Sequence, residues 1–432
     1  MGKPAIPVDR RTLFRLAAQA GVAAALMPRL AWAASLDERF ANVTALIDSL
    51  VTPRKLPGMV AALGENGGRV QAIARGTESF NDPDPVTLDS LYRLYSMTKP
   101  ITGIAAMILI DDGKLGLDQP LAEILPKFAR MQVQAVPDGS LTEVRPARTA
   151  ITIRHLLTHT AGLGYAFGLK GALAKAMVER GLMAGRSGRV PLPGIDMGEA
   201  APSLAAFADR LAELPLVYEP GMRWNYSVGL DLMGRVIEVV SGQPFDAFLA
   251  ERIFAPCGMS STWFQVPKAQ SHRLTVNYGI VAGIPVAIDP GSEESVYCDP
   301  PPFPMGGAGL VGSPRDYDRF LAMLAGGGAI EGRRVLGEAA VRQATSNLLP
   351  AGAATKGTII DGAGFGAGGR VGLGEQAGTF GWAGAAGTVG FVDMRRRLRA
   401  ALYAQFMPSS VYSLERAFPP AIVADLRAQA GG

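Results

Sequence analysis

The sequence predicts an α+β protein: one sheet is built from both ends of the chain, and the middle forms a mostly helical second lobe. Three observations carry this. Near the start, "GMVAALGE" and "RVQAIARG" flank an "NGG" turn and read as a β-hairpin. Past residue 357, "GTIIDGAGFGAGGRVG", "GTVGFVDMRRR" and "RAALYAQFM" read as strands. Between them, from about residue 118 to 330, helical spacing recurs among long Gly/Pro loops. Strands at both ends with helices between predict a cleft where the two parts meet.

Taken in order, "SLDERFANVTALIDSLV" has the apolar spacing of a helix and precedes the hairpin. Next comes "LYRLYSMTKPITG", residues 91–103, followed by the apolar repeat of a buried helix. Proline lacks an amide hydrogen and is tolerated in a first helical turn, where the amides have no partner. Pro100 therefore places the helix start at about Ser96 to Met97. Ser96 and Lys99 then lie one turn apart on the same face, at the end whose free N–H groups carry partial positive charge. That is the geometry a serine nucleophile with a lysine partner requires, although S-x-x-K alone also fits an N-cap serine and a solvated lysine. Helical segments follow at "RHLLTHTAGL", "PSLAAFADRLAEL", "VGLDLMGRVIEVVSG", "FDAFLAERIFAP" and "PRDYDRFLAMLAGG", and "SLERAFPPAIVADLRAQ" reads as a closing helix.

The 432 residues have an ordinary globular composition, with no low-complexity tract or fixed-period repeat. The formal charge of +4 comes from the first ~33 residues, where Lys3, Arg10, Arg11, Arg15 and Arg29 face Asp9 alone. The rest is close to neutral, "RRRLR" at 395–399 reads as a solvated turn, and a nucleic-acid partner is not expected. The N-terminus resembles a twin-arginine export signal: "DRRTLF" precedes "LAAQAGVAAALMPRLAWAA", with cleavage expected after Ala33. This run is short and broken by Arg29, and nothing later is apolar enough to span a bilayer. The expectation is a signal at 1–33, a single domain at 34–432, and a periplasmic or secreted location. Cys257 and Cys298 are expected as free, buried thiols rather than a disulfide. The sequence carries no sign of oligomeric state.

Five segments, in order, carry a family resemblance: "YSMTK", "HLLTHTAGL", "EPGMRWNYSVGLDLMGRVIEVVSG", "GGAGLVGSPRDY" and "GWAGAAGTVGFVD". Over roughly residues 40–410 the chain resembles the class C β-lactamase and penicillin-binding-protein-like serine hydrolases, and within them the family VIII carboxylesterases. The resemblance implies a β-lactamase/DD-peptidase-like fold, an antiparallel sheet flanked by helices with a helical lobe. It implies that Ser96 is acylated, with Lys99 as its base partner and Tyr226 as a further catalytic residue; the sequence leaves open which of the two takes the serine proton, and the proton shuttle is assigned here to Tyr226. Neither lysine nor tyrosine, with ordinary pKa values of about 10.4 and about 10, is a natural base near neutrality. Placed together at a partly desolvated helix tip, each eases the other's loss of a proton. The resemblance puts the oxyanion hole at the backbone amides of Ser96 and Ala385, with small residues in "GAAGT" allowing close approach.

Where β-lactam-hydrolysing relatives read K-T-G, this chain has Trp382-Ala383-Gly384. Charge-assisted bonds to a carboxylate contribute about 1.5–3 kcal/mol each, so losing the lysine and threonine should weaken anionic substrates at least tenfold. Val228 stands where the family has an asparagine. Both changes favour a neutral ester, with Trp382, Gly384 and Val228 shaping its pocket; a buried sheet residue is the alternative for Trp382. A weak β-lactamase, a D-amino-acid amidase or peptidase, or an acyltransferase on the same scaffold is the rival, and a non-catalytic wall-binding protein a more distant one. Short acyl chains follow from the resemblance alone. No cofactor is expected. His155 and His159 have a zinc-like spacing, but no glutamate lies between them and His272 is the only other histidine, so capping or turn roles are expected. There is no G-x-S-x-G elbow, and "GEQAGTFG" lacks a phosphate-loop lysine. "MAGRSGRVPLPG" is expected as a mobile loop over the cleft.

Overall fold

The computed structural model describes residues 35–183, 185–190 and 198–431. The predicted export signal lies outside the described residues.

Three strands come from the N-terminal part, β1 (Gly58–Glu65), β2 (Gln71–Ser79) and β3 (Asp82–Pro85). Five come from the C-terminal part, β4 (Gly364–Phe365), β5 (Arg370–Val371), β6 (Thr379–Gly384), β7 (Thr388–Asp393) and β8 (Leu398–Tyr403). They form one eight-stranded sheet in the order β4-β5-β6-β7-β8-β1-β2-β3. Every pairing is antiparallel. The chain ends meet where β1 pairs with β8, Val60 opposite Tyr403 and Leu63 opposite Ala400. The "NGG" turn closes the first hairpin with Asn66 and Gly67 at φ 48° and 74°, the left-handed conformation that asparagine and glycine adopt most readily.

The helices that position the site are α1 (Ala41–Leu50), α2 (Thr98–Asp111), α3 (Gly229–Ser241), α4 (Pro314–Ala325) and α5 (Leu414–Gly431). β1 shows how the layers form. Its alternate side chains Met59, Ala61 and Leu63 pack with Val43 and Ile47 of α1 and Phe418 and Ile422 of α5. Val60 and Ala62 point the other way, into the main core with Ile101, Ile104 and Ile108 of α2 and Tyr317 and Phe320 of α4. Both faces are thus covered, and β1 is buried along almost its whole length. No side chain caps α1 at its own N-cap residue, Phe40. Buried Asp425 of α5 does so instead, accepting from Asn42 N at 2.9 Å and Val43 N at 3.1 Å.

Three expectations need correction. "GTIIDGAGFGAGGRVG" is mostly turn, with only the two-residue strands β4 and β5. Glycines on both sides serve close backbone approach to α2: a Cβ on Gly103 of α2 would lie 2.0 Å from the Ala367 carbonyl oxygen, and one on Gly368 (φ 75°) 2.4 Å from that of Lys99. "RRRLR" is a turn only over its first three residues. Arg399 enters β8 buried, with Nε 2.8 Å from Asp318 Oδ1 on α4. The helical middle also holds a hairpin, Asn277–Val281 with Ile284–Asp289, that periodicity did not show. Val281, Ile284 and Val286 are exposed there, so apolar spacing no longer marks a buried face.

Candidate active site

Ser96 lies in a 3₁₀ turn, Tyr95–Met97, that runs directly into α2. Pro100 occupies the third position of that helix, so it breaks no helical bond and sets the start as predicted. The residue before the serine is conformationally costly: Tyr95 has φ 44°, a region non-glycine residues enter at about 1–3 kcal/mol. The surroundings hold it there. Its phenol, pushed up to about 12 by burial, accepts from Asn277 Nδ2 at 3.1 Å and donates to Ser187 O at 3.4 Å. One turn upstream, Arg93 is fully buried, paired with Asp289 and bonded to Thr275 O at 2.6 Å. The short strand Tyr92–Arg93, which delivers the serine, is thereby braced on the 275–289 segment.

Lys99 is buried, and its ammonium nitrogen lies 3.0 Å from Ser96 Oγ and 2.7 Å from the Gly307 carbonyl. Tyr226 Oη lies 2.7 Å from Ser96 Oγ. Ser96 and Tyr226 are half-buried, so this triangle has one side open to solvent. Lys99 Nζ also lies 4.6 Å from the centre of the Tyr226 ring and 5.2 Å from that of Tyr165, so two aromatic rings face the charge.

Tyr226 is delivered by the turn before α3, and the 160–165 segment runs beside it. Asn225 N donates to His159 O at 2.8 Å, and Asn225 Nδ2 to Leu163 O at 2.7 Å. The Tyr226 ring packs between those of His159, at 4.9 Å, and Tyr165, at 5.1 Å. On its far side stands Trp382, whose indole nitrogen is 3.1 Å from Tyr226 Oη. Trp382 in turn meets Phe365 edge to face at 5.2 Å and Trp224 at 6.5 Å. The wall beside the serine is aromatic and uncharged.

Of the remaining predicted site residues, Gly384 ends β6 against the nucleophile segment: a Cβ there would lie 2.3 Å from the Leu94 carbonyl oxygen. Ala385 is the next residue, in the tight turn between β6 and β7. Val228 needs correction: its side chain is fully buried in the main core and presents no surface to a ligand. The "GRSGR" stretch also differs from expectation, because its described residues 185–190 are tied down. Gly185 N meets Met305 Sδ at 3.0 Å, Arg189 Nε donates to Glu294 O at 2.7 Å, and Val190 N to Ile288 O at 3.0 Å. Cys257 and Cys298 are both buried and free.

Sequence reasoning missed the layer beneath Lys99. Asp231, fully buried on the first turn of α3, accepts from Gly307 N at 2.8 Å and from the Tyr165 hydroxyl at 3.2 Å. Burial raises its carboxyl above the usual range while the nearby Lys99 charge pulls it back down. The Gly307 backbone thus links the two charges, its carbonyl on Lys99 and its N–H on Asp231. Gly307 has no room for a side chain: a Cβ would lie 2.4 Å from Asp231 Oδ2. An aspartate on the apolar face of "GLDLMGRVIEVV" was the available signal.

His155 and His159 take structural roles. His155 Nδ1 accepts from Thr152 N at 3.1 Å in a reciprocal cap, and His159 Nδ1 lies 3.1 Å from Ser227 Oγ. Burial lowers His155 to about 4 and holds His159 well below its usual value. A proton on His155 Nδ1 would remove the cap's acceptor. The folded state therefore favours neutral histidines, and their stabilisation is complete above the unfolded value of about 6.5 and lost as pH falls toward 4. The urea midpoint should fall between pH 7 and pH 5, and more shallowly in His155→Gln; equal slopes would remove His155 from the account.

Comparison with known proteins agrees with this architecture. A family model described as Beta-lactamase matches residues 43–419. Esterase EstB of Burkholderia gladioli is 33% identical over 375 residues, 82% of this chain and 87% of that protein. Protein Rv1367c of Mycobacterium tuberculosis is 33% identical over 316 residues, 73% of each chain. Among solved structures, EstCE1, described as a hydrolase with promiscuous acyltransferase activity, superposes with a TM-score of 0.69 at 26% identity, covering 88% of this chain and 98% of its own. With its eight-stranded sheet, its helical lobe and its Ser96–Lys99–Tyr226 cluster between them, the chain belongs to the beta-lactamase family of serine hydrolases.

Proposed function

We propose that the protein is an exported esterase that cleaves neutral, short-acyl carboxylic esters through an acyl-Ser96 intermediate. The observation that carries the reading is Ser96 Oγ held between Lys99 Nζ at 3.0 Å and Tyr226 Oη at 2.7 Å. Lys99, buried near the Asp231 carboxylate, serves as a fixed positive charge, and Tyr226 moves the protons. As Ser96 Oγ bonds to the ester carbonyl carbon, its proton passes to the Tyr226 phenolate. The carbonyl electrons collect on an oxyanion received by the Ser96 and Ala385 amides. The carbon–alkoxide bond then breaks, and Tyr226 gives its proton to the departing alcohol. Water repeats the sequence: it loses a proton to Tyr226 and attacks the acyl carbon, Ser96 Oγ leaves with that proton, and the acid is released.

The substrate preference rests on the aromatic wall of Tyr226 and Trp382, backed by the buried Phe365, which offers no cation for a substrate carboxylate. The export reading rests on the paired arginines and apolar run of residues 10–33. Intact-mass spectrometry after brief exposure to a short-chain ester, a cephalosporin and a D-alanyl amide tests the reading. An acyl adduct should appear with the ester, and ester turnover should exceed lactam turnover at least tenfold. Faster lactam turnover would sink the substrate class. The description of EstCE1 favours one second reading, transfer of the acyl group to an alcohol. Adding an alcohol acceptor and measuring new ester against free acid distinguishes the two.

A further inference from the structure

We propose that the Trp382 indole N–H readies Tyr226 as the base by donating a hydrogen bond to its phenolic oxygen; this rests on the acyl-Ser96 reading above. Trp382 is a positioning residue that acts through Tyr226, in addition to walling the pocket.

Donor and acceptor accounting leads to this. Indole nitrogen only donates, so in the 3.1 Å contact the Tyr226 oxygen must accept. The same oxygen lies 2.7 Å from Ser96 Oγ. For Ser96 to give up its proton, Tyr226 must accept along that second contact as well. The indole bond occupies one lone pair of that oxygen and leaves the side facing Ser96 for the proton in transfer, and a donated N–H strengthens as negative charge collects on the oxygen. Lys99 faces the Tyr226 ring rather than its oxygen, with Nζ 4.6 Å from the ring centre. It supplies a positive field there, while the directional bond to the oxygen comes from Trp382.

The indole is built to hold this position. Trp382 lies in the middle of β6, paired across the sheet with Gly390 on β7. Its ring is fixed by Phe365 edge to face at 5.2 Å and by Trp224 at 6.5 Å. The bond also bears on specificity, because the single donor of this side chain is already committed to Tyr226 and is not free to bind a substrate carboxylate.

The test separates the N–H from the ring. Trp382→Phe removes the donor and part of the wall. Site-specific replacement of Trp382 by benzothienylalanine, in which sulfur takes the place of N–H, removes the donor and keeps the shape. With a neutral short-chain ester, both variants should lose about 10–100-fold in kcat, with KM for the benzothienyl variant within about twofold of wild type. The acidic limb of the kcat/KM profile should move to higher pH by about one unit. If Trp382→Phe fails to fold, the benzothienyl variant decides alone. An unchanged profile and kcat in that variant would show that Trp382 is wall only. Absence of any acyl adduct on the wild type would instead overturn the esterase reading itself, so the two failures are distinguishable.

Discussion

Ser96→Ala should lower ester turnover by about 10⁶ and abolish the acyl adduct, and Tyr226→Phe should lower it by about 10³. The unequal sizes follow from the geometry. Without Ser96 no atom takes over the attack, because the next groups on the cleft floor are the Lys99 ammonium and the Tyr226 phenol, both aimed at Ser96 Oγ. Without the Tyr226 hydroxyl the nucleophile and the helix tip remain, but the proton must leave through water. Tyr226→Phe keeps the ring that packs between His159 and Tyr165 and faces the Lys99 charge, so the fold should persist. Burst kinetics add a signature. The variant should still accumulate a slow adduct with an activated aryl ester, whose leaving group needs no proton, while losing more with an alkyl ester. Equal losses on both esters would remove Tyr226 as the acid for the leaving alcohol, and an adduct persisting in Ser96→Ala would mean a different nucleophile.

The sequence disclosed the elements whose local chemistry is strong. Pro100 marked the start of α2, the "NGG" turn marked the first hairpin, and strands at both ends predicted one sheet, which β1 and β8 close. The Ser96, Lys99 and Tyr226 side chains were legible because their motifs are contiguous and come in order. What remained hidden depends on contacts between distant segments. Asp231 and Gly307 are 76 residues apart and meet through one backbone amide. The bond from Trp382 to Tyr226 spans 156 residues and depends on ring orientation, which no spacing encodes. Residues 366–369 looked like strand because glycines sit among apolar residues, yet their role is to let a turn rest on the first turn of α2. Val228 was assigned to the pocket from its place in the motif, but that place says nothing of which way the side chain points.

Asp231→Asn should lower kcat by about 10²-fold while leaving the melting temperature within a few degrees of wild type. The asparagine oxygen can still accept from Gly307 N, and its Nδ2, standing where the second carboxylate oxygen was, can donate to the Tyr165 hydroxyl oxygen, so the substitution removes charge, keeps shape and reverses one bond. The stability argument has two opposing parts. Burial raises the Asp231 carboxyl above its unfolded value, so the folded state binds that proton more readily than the unfolded one. The carboxylate's contribution to stability is therefore most favourable below the unfolded value of about 3.8, and it declines as pH rises through the raised folded value. At neutral pH asparagine relieves that cost. It also leaves the Lys99 ammonium buried against only the Gly307 carbonyl, Ser96 Oγ and two rings. A buried charge that loses its opposite charge is destabilising, which offsets the gain. Catalysis has no such offset, because the charge-assisted bond by which Asp231 holds the Gly307 backbone becomes a neutral one, and the carbonyl of that residue is what orients Lys99 beside Ser96 Oγ. Thermal melts and ester kinetics on the same preparation test the claim. A residue that only holds the fold would lose stability and activity together. An unchanged kcat with a lowered melting point would return Asp231 to a structural role.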